Sequence, residues 1–236
     1  MCASTTTRAD GRLPNQLRPL AAEPAALDRA DGSARFSHDE TRLLVACWGP
    51  GEAKRSREAP SHAVVQVIVR PVGGLPGPVE REMEQILAQT LEHLILLHLY
   101  PRACIQLVVQ TLRSDGSFLA AALHGCCVAM MHAGIPLRGM LAGCTVALLP
   151  DGTALLDPCL DEELAAAAVV TLGYQLRRTL EGASERQLLL SHVRGAVTEV
   201  QYEECEAAAQ EAAACVAAFC RQAMERSVGA APPPGG

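Results

Sequence analysis

The stretch CIQLVVQTLRSDGSFLAAALHGCCVAMMHAG, residues 104–134, decides the fold class. Residues 104–112 are rich in β-branched residues and leucine, which predicts a strand. Residues 117–133 carry apolar side chains on almost every side, so they predict a helix enclosed by the rest of the protein. Ser117 is placed to begin this helix, and Gly134 to follow its last turn. A strand that leads through a short turn into a buried helix indicates a domain of packed sheets and helices.

The turn before this helix has the form of an anion-binding site without its cation. Asp115 and Gly116 make a tight turn, and the unpaired backbone N–H groups of a helix start favour a negative group such as phosphate. No arginine or lysine follows Ser117 to hold one, because the next residue is Phe118. The sequence keeps the helix start and lacks the cation.

Length and hydropathy bound the size of the core. The chain has 236 residues, 49% of them hydrophobic, and its mean hydropathy is +0.14. These values predict one domain with a well-filled core over residues 8–226. We expect residues 1–7 and the Pro/Gly-rich tail at 227–236 to be disordered.

The charge of the chain excludes a free-standing module that binds nucleic acid. The net charge is −6 and Lys54 is the only lysine, which leaves no broad cationic surface. Positive charge is nevertheless uneven: eight arginines precede residue 58, whereas residues 161–226 hold eleven acidic residues against six arginines. A ring or dimer with one face toward RNA fits this distribution.

Neither a signal peptide nor an apolar run of membrane-spanning length is visible, which predicts an intracellular aqueous compartment. The ten cysteines include no CxxC pair and have no zinc-ligand spacing with histidine. They predict reduced thiols, most of them buried, rather than a metal centre or a disulfide framework.

Outside the opening stretch, strands come in runs with helices between them. Apolar residues at helical spacing predict a helix over 79–98, and the capping box of Thr198 and Gln201 predicts a last helix that ends near residue 226. Residues 162–176 fit either helix or strand, because alanines favour the first and β-branched residues the second. Further predicted strands cover 33–37, 42–48, 62–71, 140–149, 153–158 and 186–195.

Four segments in order, together spanning nearly the whole chain, carry a resemblance to a known family. They are RADGRLPNQLRPL (8–20), DGSARFSHDETRLLVACWGP (31–50), HLYPRACIQLVVQTLRSDGS (98–117) and LLPDGTALLDP (148–158). The chain resembles the RNase PH family of phosphate-dependent 3′→5′ exoribonucleases and their ring-forming relatives. The resemblance implies an α+β fold of the ribosomal protein S5 domain 2-like type, with a mixed sheet and packed helices.

Within the family, the chain looks most like a ring subunit of the eukaryotic RNA exosome, of plant or algal type. The resemblance implies a heterodimer with another RNase PH-like exosome subunit, and a six-membered ring of such pairs under cap proteins. It implies contact with RNA through the complex, in rRNA maturation and RNA turnover, in the nucleus (nucleolus) and cytoplasm, without a membrane partner. An unpaired ring subunit exposes apolar surface, so we expect a homodimer or other self-association in isolation.

The family holds inorganic phosphate in a Gly-Gly-Thr/Ser-Arg turn, which residues 115–118 match here. Gly116 and Ser117 are kept, but Phe118 stands at the arginine position and Asp115 adds a negative charge. A helix N-terminus favours an anion by about 0.3–1 kcal/mol. A lost charge-assisted hydrogen bond costs about 1.5–3 kcal/mol. The resemblance therefore implies a phosphate-binding remnant, Gly116–Phe118, that serves as a helix cap.

The arginines with which the family binds RNA come from its first helix. This chain has Gln85 and Gln89 at the matching positions and Glu92 at another basic one, as on a solvated or subunit-facing surface. The remaining candidates for contact with RNA or a partner are arginines, which could equally be ordinary solvated charges. They are Arg8, Arg12, Arg18, Arg42 and Arg81, together with Arg55 and Arg57.

The family's two catalytic carboxylates lie six residues apart after a Leu-Asp strand. The match gives Glu163 at the first position and Val169 at the second, so one carboxylate is kept and the other is lost. Asp157, Asp161, Glu162 and Glu163 form an acidic cluster, in which Asp157, Glu162 and Glu163 are the candidates for vestigial catalytic residues. Two interpretations stay open: a charged turn between two strands, or a divalent cation held by Asp157 and Glu163.

The phosphate-binding arginine, the RNA-binding arginines and the second catalytic carboxylate are thus all missing from their matching positions. This predicts a non-catalytic ring subunit that scaffolds 3′-to-5′ RNA processing and degradation. We expect it to need no cofactor. The alternative is an enzyme. It would use either residual phosphorolysis by Ser117 and Glu163 with inorganic phosphate, or Mg²⁺-dependent hydrolysis by Asp157 and Glu163. If the chain is active, we expect a 3′→5′ exoribonuclease.

Overall fold

The computed structural model describes residues 8, 10–53, 58–178 and 184–230. Its strands are β1 (Leu20–Pro24), β2 (Gly32–His38), β3 (Thr41–Glu52), β4 (Val64–Arg70), β5 (Ala103–Arg113), β6 (Met140–Leu148), β7 (Ala154–Leu156), β8 (Ala168–Arg178) and β9 (Ser184–Gly195). Its helices are α1 (Pro78–Leu94), α2 (Phe118–His132), α3 (Leu160–Ala165) and α4 (Glu199–Ala230), with a 3₁₀ turn at Leu97–Leu99. The predicted α+β class is confirmed.

The first sheet has the strand order β1-β2-β3-β5-β4. Strands β2 and β3 form the predicted hairpin, which turns at Asp39 in a left-handed conformation (φ 52°). Strands β4 and β5 are parallel and are joined by α1, since parallel strands need a crossover. Strand β1 adds an edge that the sequence did not predict, with Leu20 opposite His38.

The second sheet is antiparallel, in the order β7-β6-β8-β9, and α2 lies between the two sheets. Helix α2 contacts β2 and β3 on one side and β6 on the other, and α4 covers β6 and β8. Every residue from Leu119 to Met130 is buried, which confirms the enclosed helix. Gly134 follows its end at φ 70°, and the N–H of Ile135 donates to the carbonyl of Met130.

Several element boundaries differ from the expectation. The ambiguous segment 162–176 contains both structures, because α3 ends at Ala165 and β8 begins at Ala168, where β-branched residues pair with β6. Helix α1 ends at Leu94 rather than 98, since Ile95 forms a bridge with Leu137. The capping box is confirmed, whereas α4 extends to Ala230, beyond the expected end at 226. Residues 1–7 and 231–236 lie outside the described residues.

Buried cysteines contribute to the core as expected. Six of them are buried: Cys47, Cys126, Cys127, Cys144, Cys205 and Cys220. Burial raises the pKa of Cys47 to about 12 and the pKa values of Cys127 and Cys205 to about 11, so these thiols stay protonated at neutral pH.

Within the residues that the structure describes, no helix combines the length and the apolar character needed to cross a membrane.

Candidate functional site

A cavity of about 360 Å³ lies where α1, α2, α3, β8 and β9 approach one another. It brings together Phe118, Glu163 and Val169, the three positions that match the phosphate-binding arginine and the two catalytic carboxylates. Much of the remaining wall is apolar, including Val69, Val72, Val79, Met83, Leu119 and Leu160. These apolar side chains offer no hydrogen bonds to phosphate or RNA, and the one arginine of the lining, Arg194, is paired with Glu163.

The backbone N–H at the start of α2 is taken by a carboxylate of the same chain. Ser117 occupies the predicted N-cap position, but its side chain makes no cap and donates instead to the carbonyl of Pro158 (3.0 Å). Its backbone N–H donates to Oε1 of Glu163 at 2.6 Å. The other oxygen of Glu163, Oε2, accepts from Nη2 of Arg194 at 3.1 Å. Glu163, rather than the Ser117 hydroxyl, therefore meets the positive end of the helix.

Two hydrogen bonds connect the start of α2 to α3. Asp115, in the turn before α2, accepts the N–H of Leu160 at the start of α3 (3.3 Å), while Glu163 on α3 accepts the N–H of Ser117. Between them Gly116 has φ 74°, and a Cβ there would lie 2.5 Å from the Pro158 carbonyl oxygen. Only glycine fits this approach, so the turn is fixed by its contact with α3.

Asp157 is a buried structural anion. Its Oδ2 accepts the backbone N–H and Nε of Arg18 at 3.0 and 3.1 Å, and its Oδ1 accepts Nη2 at 2.7 Å. His38 lies 3.4 Å from Oδ1. Burial by itself raises the pKa of Asp157, but the hydrogen bonds from His38 and Arg18 and the charge of Arg18 hold it well below 3.8. The carboxylate is ionised and already has its partners.

Two histidines extend this network into the core. The N–H of Gly143 donates to Nε2 of His124 (2.8 Å), so the proton of that ring sits on Nδ1. His124 Nδ1 then donates to Nε2 of His38 (3.0 Å), which leaves the His38 proton on Nδ1, toward Asp157. Burial and the nearby His38 hold the pKa of His124 well below 6.5. Each ring nitrogen of the two histidines therefore has a hydrogen-bond partner.

Three of the arginines expected to reach RNA or a partner lie inside the protein. They belong to the N-terminal arm, which comprises Arg8 and residues 10–19. Arg8 donates through Nε to Glu162 (2.7 Å) and through Nη1 to the carbonyl of Leu156 (2.8 Å), and Arg12 donates to the carbonyl of Asp157 (3.1 Å). These contacts correct the expectation, because Arg8, Arg12 and Arg18 are buried and paired within the chain.

The other predicted surface residues are exposed. Arg42 lies beside Glu40 (3.5 Å), and Arg81 projects from α1. Gln85 and Gln89 also lie on the solvated face that was expected for this helix. Arg55 and Arg57 lie outside the described residues.

Each carboxylate of the acidic cluster binds different partners. Asp157 binds Arg18, Glu162 binds Arg8, and Glu163 binds Ser117 and Arg194. Among the described residues, no group of three or more His, Cys, Asp or Glu side chains could hold a metal ion. This division favours the charged turn over the cation site.

The sequence did not point to His38, His124 or Arg194. No local motif gives these residues a role, and each acquires its partner only through the fold. The two histidines occupy positions in β2 and α2 where an apolar residue fits the pattern, and Arg194 sits in the edge strand β9.

Comparisons with known proteins agree with this fold. Residues 16–136 match the RNase PH model of the 3′ exoribonuclease family, domain 1, and residues 139–212 match domain 2. The chain is 34% identical over 229 residues to a protein of Oryza sativa named Exosome complex exonuclease RRP46 homolog, covering 93% of this chain and 96% of the relative. A protein of the same name from Arabidopsis thaliana is 33% identical over 230 residues, with coverage of 93% and 96%.

A solved structure extends the comparison to three dimensions. The crystal structure of rice Rrp46 matches with a TM-score of 0.85 at 33% identity, covering 92% of this chain and 100% of that one. The two family models together match most of the residues, and the relatives match almost from end to end. The chain therefore belongs to the RNase PH family of 3′ exoribonucleases.

Proposed function

We propose that this chain is a ring subunit of the RNA exosome that scaffolds 3′-to-5′ RNA processing and degradation, including rRNA maturation, and does not perform phosphorolysis itself. The rice and Arabidopsis relatives, named as exosome proteins, match it over more than nine-tenths of its length. Coverage of this extent supports the same assembly for the whole chain. Their names also contain the word exonuclease, so the loss of activity is argued from the residues of this chain.

The cavity carries the argument for lost phosphorolysis. Phosphate and RNA are anions, and their reaction needs cations and a proton-transferring carboxylate that is free to act. Phe118 and Val169 supply apolar surface at two of the three matched positions, and Glu163 at the third is held by Ser117 and Arg194. In the described lining, Arg194 is the one arginine or lysine, and Glu163 neutralises it.

The N-terminal arm supports the same conclusion. A buried arginine that is paired with a carboxylate and with backbone carbonyls of its own chain is not available to an RNA phosphate. Arg8 and Arg18 are in this position, so the arm stabilises the subunit rather than gripping a substrate. Arg42 and Arg81 stay exposed as candidates for contact with RNA or a neighbouring subunit.

We infer a heterodimer with another RNase PH-like exosome subunit, within a six-membered ring under cap proteins, and contact with RNA through the complex. Large exposed apolar side chains support a partner, among them Leu75 (91% exposed) and Leu164 (75% exposed). We also propose that the isolated chain forms a homodimer. We further propose that no cofactor is needed and that the protein works in the nucleus (nucleolus) and cytoplasm.

Two measurements test this function. The first is capture of the tagged full chain from its own cells, where we expect the other RNase PH-like and cap subunits in fixed ratio. A chain that captures none of them contradicts the assembly. The second is decay of a 3′-tailed RNA by the purified chain with phosphate, with Mg²⁺, with both and with neither, beside an active RNase PH enzyme as a positive control.

The products distinguish the mechanisms. We expect no product from the chain under any of the four conditions. Nucleoside diphosphates that require phosphate would contradict the proposal, because phosphorolysis would then survive without an arginine at residue 118. Nucleoside monophosphates that require Mg²⁺ and disappear in Glu163→Ala would instead identify a hydrolase that uses the acidic cluster.

A further inference from the structure

We propose that Glu163 acts as a built-in anion: its carboxylate occupies the anion position at the start of α2 and keeps inorganic phosphate out of the cavity. The inference rests on the proposed loss of phosphorolysis and adds a cause to it. Loss of the arginine at residue 118 removes attraction for phosphate, whereas the carboxylate of Glu163 competes for the remaining donors.

The contact has the geometry of a bound anion. The distance of 2.6 Å from the Ser117 nitrogen to Glu163 Oε1 is short for an N–H···O bond, as expected when the acceptor is charged. The Arg194 guanidinium holds Oε2 at 3.1 Å. One carboxylate thus engages both the backbone N–H and the cation that an oxyanion in this cavity needs.

The carboxylate is also held near its partners by the fold. Glu163 lies on α3, whose first N–H donates to Asp115, and the carbonyl of Pro158 before α3 accepts the Ser117 hydroxyl. These contacts fix α3 against the start of α2. A group held within the same molecule competes at a high effective concentration, so free phosphate meets a site that is already filled. The side chain is only 13% exposed, which limits its replacement by solvent ions.

Removal of the carboxylate should open the site. In Glu163→Ala, the Ser117 N–H and the Arg194 guanidinium lose their shared partner. Arg194 and Phe118, the residue next to Ser117, still line the same cavity. A backbone donor at the positive end of a fifteen-residue helix, together with a guanidinium, is a combination that binds phosphate oxygens. The variant should therefore gain phosphate binding that the wild-type chain lacks.

The test titrates inorganic phosphate into the full chain and follows the amide resonance of Ser117 by NMR, with calorimetry for the dissociation constant. We expect a saturable shift in Glu163→Ala and binding at least about tenfold tighter than in the wild type. Glu163→Gln keeps the shape and an acceptor but removes the charge, so it should gain less. It also provides a folded comparison if the alanine variant is unstable. The gain should disappear in the double variant E163A/R194A.

Asp161→Ala is the matched control, because it removes one negative charge from the same helix at an exposed position. It should bind no more phosphate than the wild type. Equal phosphate binding by the wild type and the folded Glu163 variants, or a gain of equal size in Asp161→Ala, overturns the inference. Phosphate binding in Glu163→Ala without nucleoside diphosphate release supports it. Phosphorolysis by the wild-type chain contradicts the proposed function instead, so the two failures are distinguishable.

Discussion

Arg18 and Asp157 form a buried ion pair that fastens the N-terminal arm to the second sheet. The distance from Arg18 Nη2 to Asp157 Oδ1 is 2.7 Å, and the two side chains are 3% and 1% exposed. Through Nη1, Arg18 also donates to the carbonyl of Asp115 at 2.6 Å. The pair therefore links the arm, the end of β7 and the turn before α2.

Removal of one member of this pair should be strongly destabilising. Arg18→Met leaves the Asp157 carboxylate buried with little compensation, and a broken buried pair costs about 3–5 kcal/mol. Urea unfolding followed by circular dichroism measures the loss. Arg42→Met is the control, because its pair with Glu40 is exposed and is worth about 0–1 kcal/mol. Equal losses in the two variants would contradict the role of Arg18.

Because of buried His124, the free energy of unfolding should decrease as the pH is lowered. Because burial keeps His124 neutral in the folded protein, the unfolded chain alone gains a proton below about pH 6.5. The free energy of unfolding should then decrease by up to about 1.4 kcal/mol for each pH unit below that value. Asp157, whose folded pKa lies well below 3.8, adds a second loss below about pH 4.

Urea titrations at a series of pH values test this dependence. His124→Asn should flatten the decrease between about pH 6.5 and 5, whereas His93→Gln, at an exposed position of α1, should leave the slope unchanged. A constant free energy of unfolding of the wild-type protein over that range would contradict the prediction, because it would mean that the folded state contains no neutral buried histidine.

Gly116 should be more sensitive to substitution than Gly152, a glycine with positive φ that has open space around it. Gly116→Ala places a methyl group 2.5 Å from the Pro158 carbonyl oxygen, so the turn must move as well as bear the left-handed strain. Gly152 also has a positive φ (87°), but no atom lies within 4 Å of the methyl group that Gly152→Ala would add. This substitution should therefore cost only the left-handed backbone strain, about 1–2 kcal/mol. We expect a further loss of about 1–3 kcal/mol for Gly116→Ala, measured as the difference in unfolding free energy.

Cysteine reactivity should follow burial. Cys215 is exposed on α4, whereas the pKa of buried Cys47 is raised to about 12 and that of buried Cys127 to about 11. A thiol reagent followed by peptide mass spectrometry should label Cys215 in the native protein, and Cys47 and Cys127 only after unfolding. Cys215→Ser should remove the fast label at that position. Rapid native labelling of Cys127 would show that α2 is not enclosed.

Local sequence patterns were enough to predict the elements whose contacts are local. The apolar run of α2, the β2–β3 hairpin and the capping box of α4 all follow from residues a few positions apart, and the structure confirms them. The start of α2 was also correct, but its cap was not. The acceptor for the Ser117 N–H is Glu163, 46 positions along the chain, and no local rule identifies a partner at that distance.

The buried arginines Arg8 and Arg18 show this limit of local sequence patterns more strongly. Arg8 and Arg18 stand in a polar, proline-containing segment, which is the pattern of an exposed arm. Their burial depends on carboxylates and carbonyls 97 to 154 positions away. An arginine beside polar neighbours in sequence is predicted to be solvated, because only the three-dimensional fold reveals a buried carboxylate opposite it.

The sequence separation between Arg18 and Asp157 determines when the N-terminal arm can dock during synthesis. The N-terminal arm leaves the ribosome before the second sheet, and Arg18 lacks its closest carboxylate until Asp157 follows, 139 positions later. At about 5–20 residues per second, that interval lasts roughly 7–30 s. A nascent chain that ends before Asp157 therefore carries a basic arm without its buried partner, and the arm completes its docking only after residue 157 has been made.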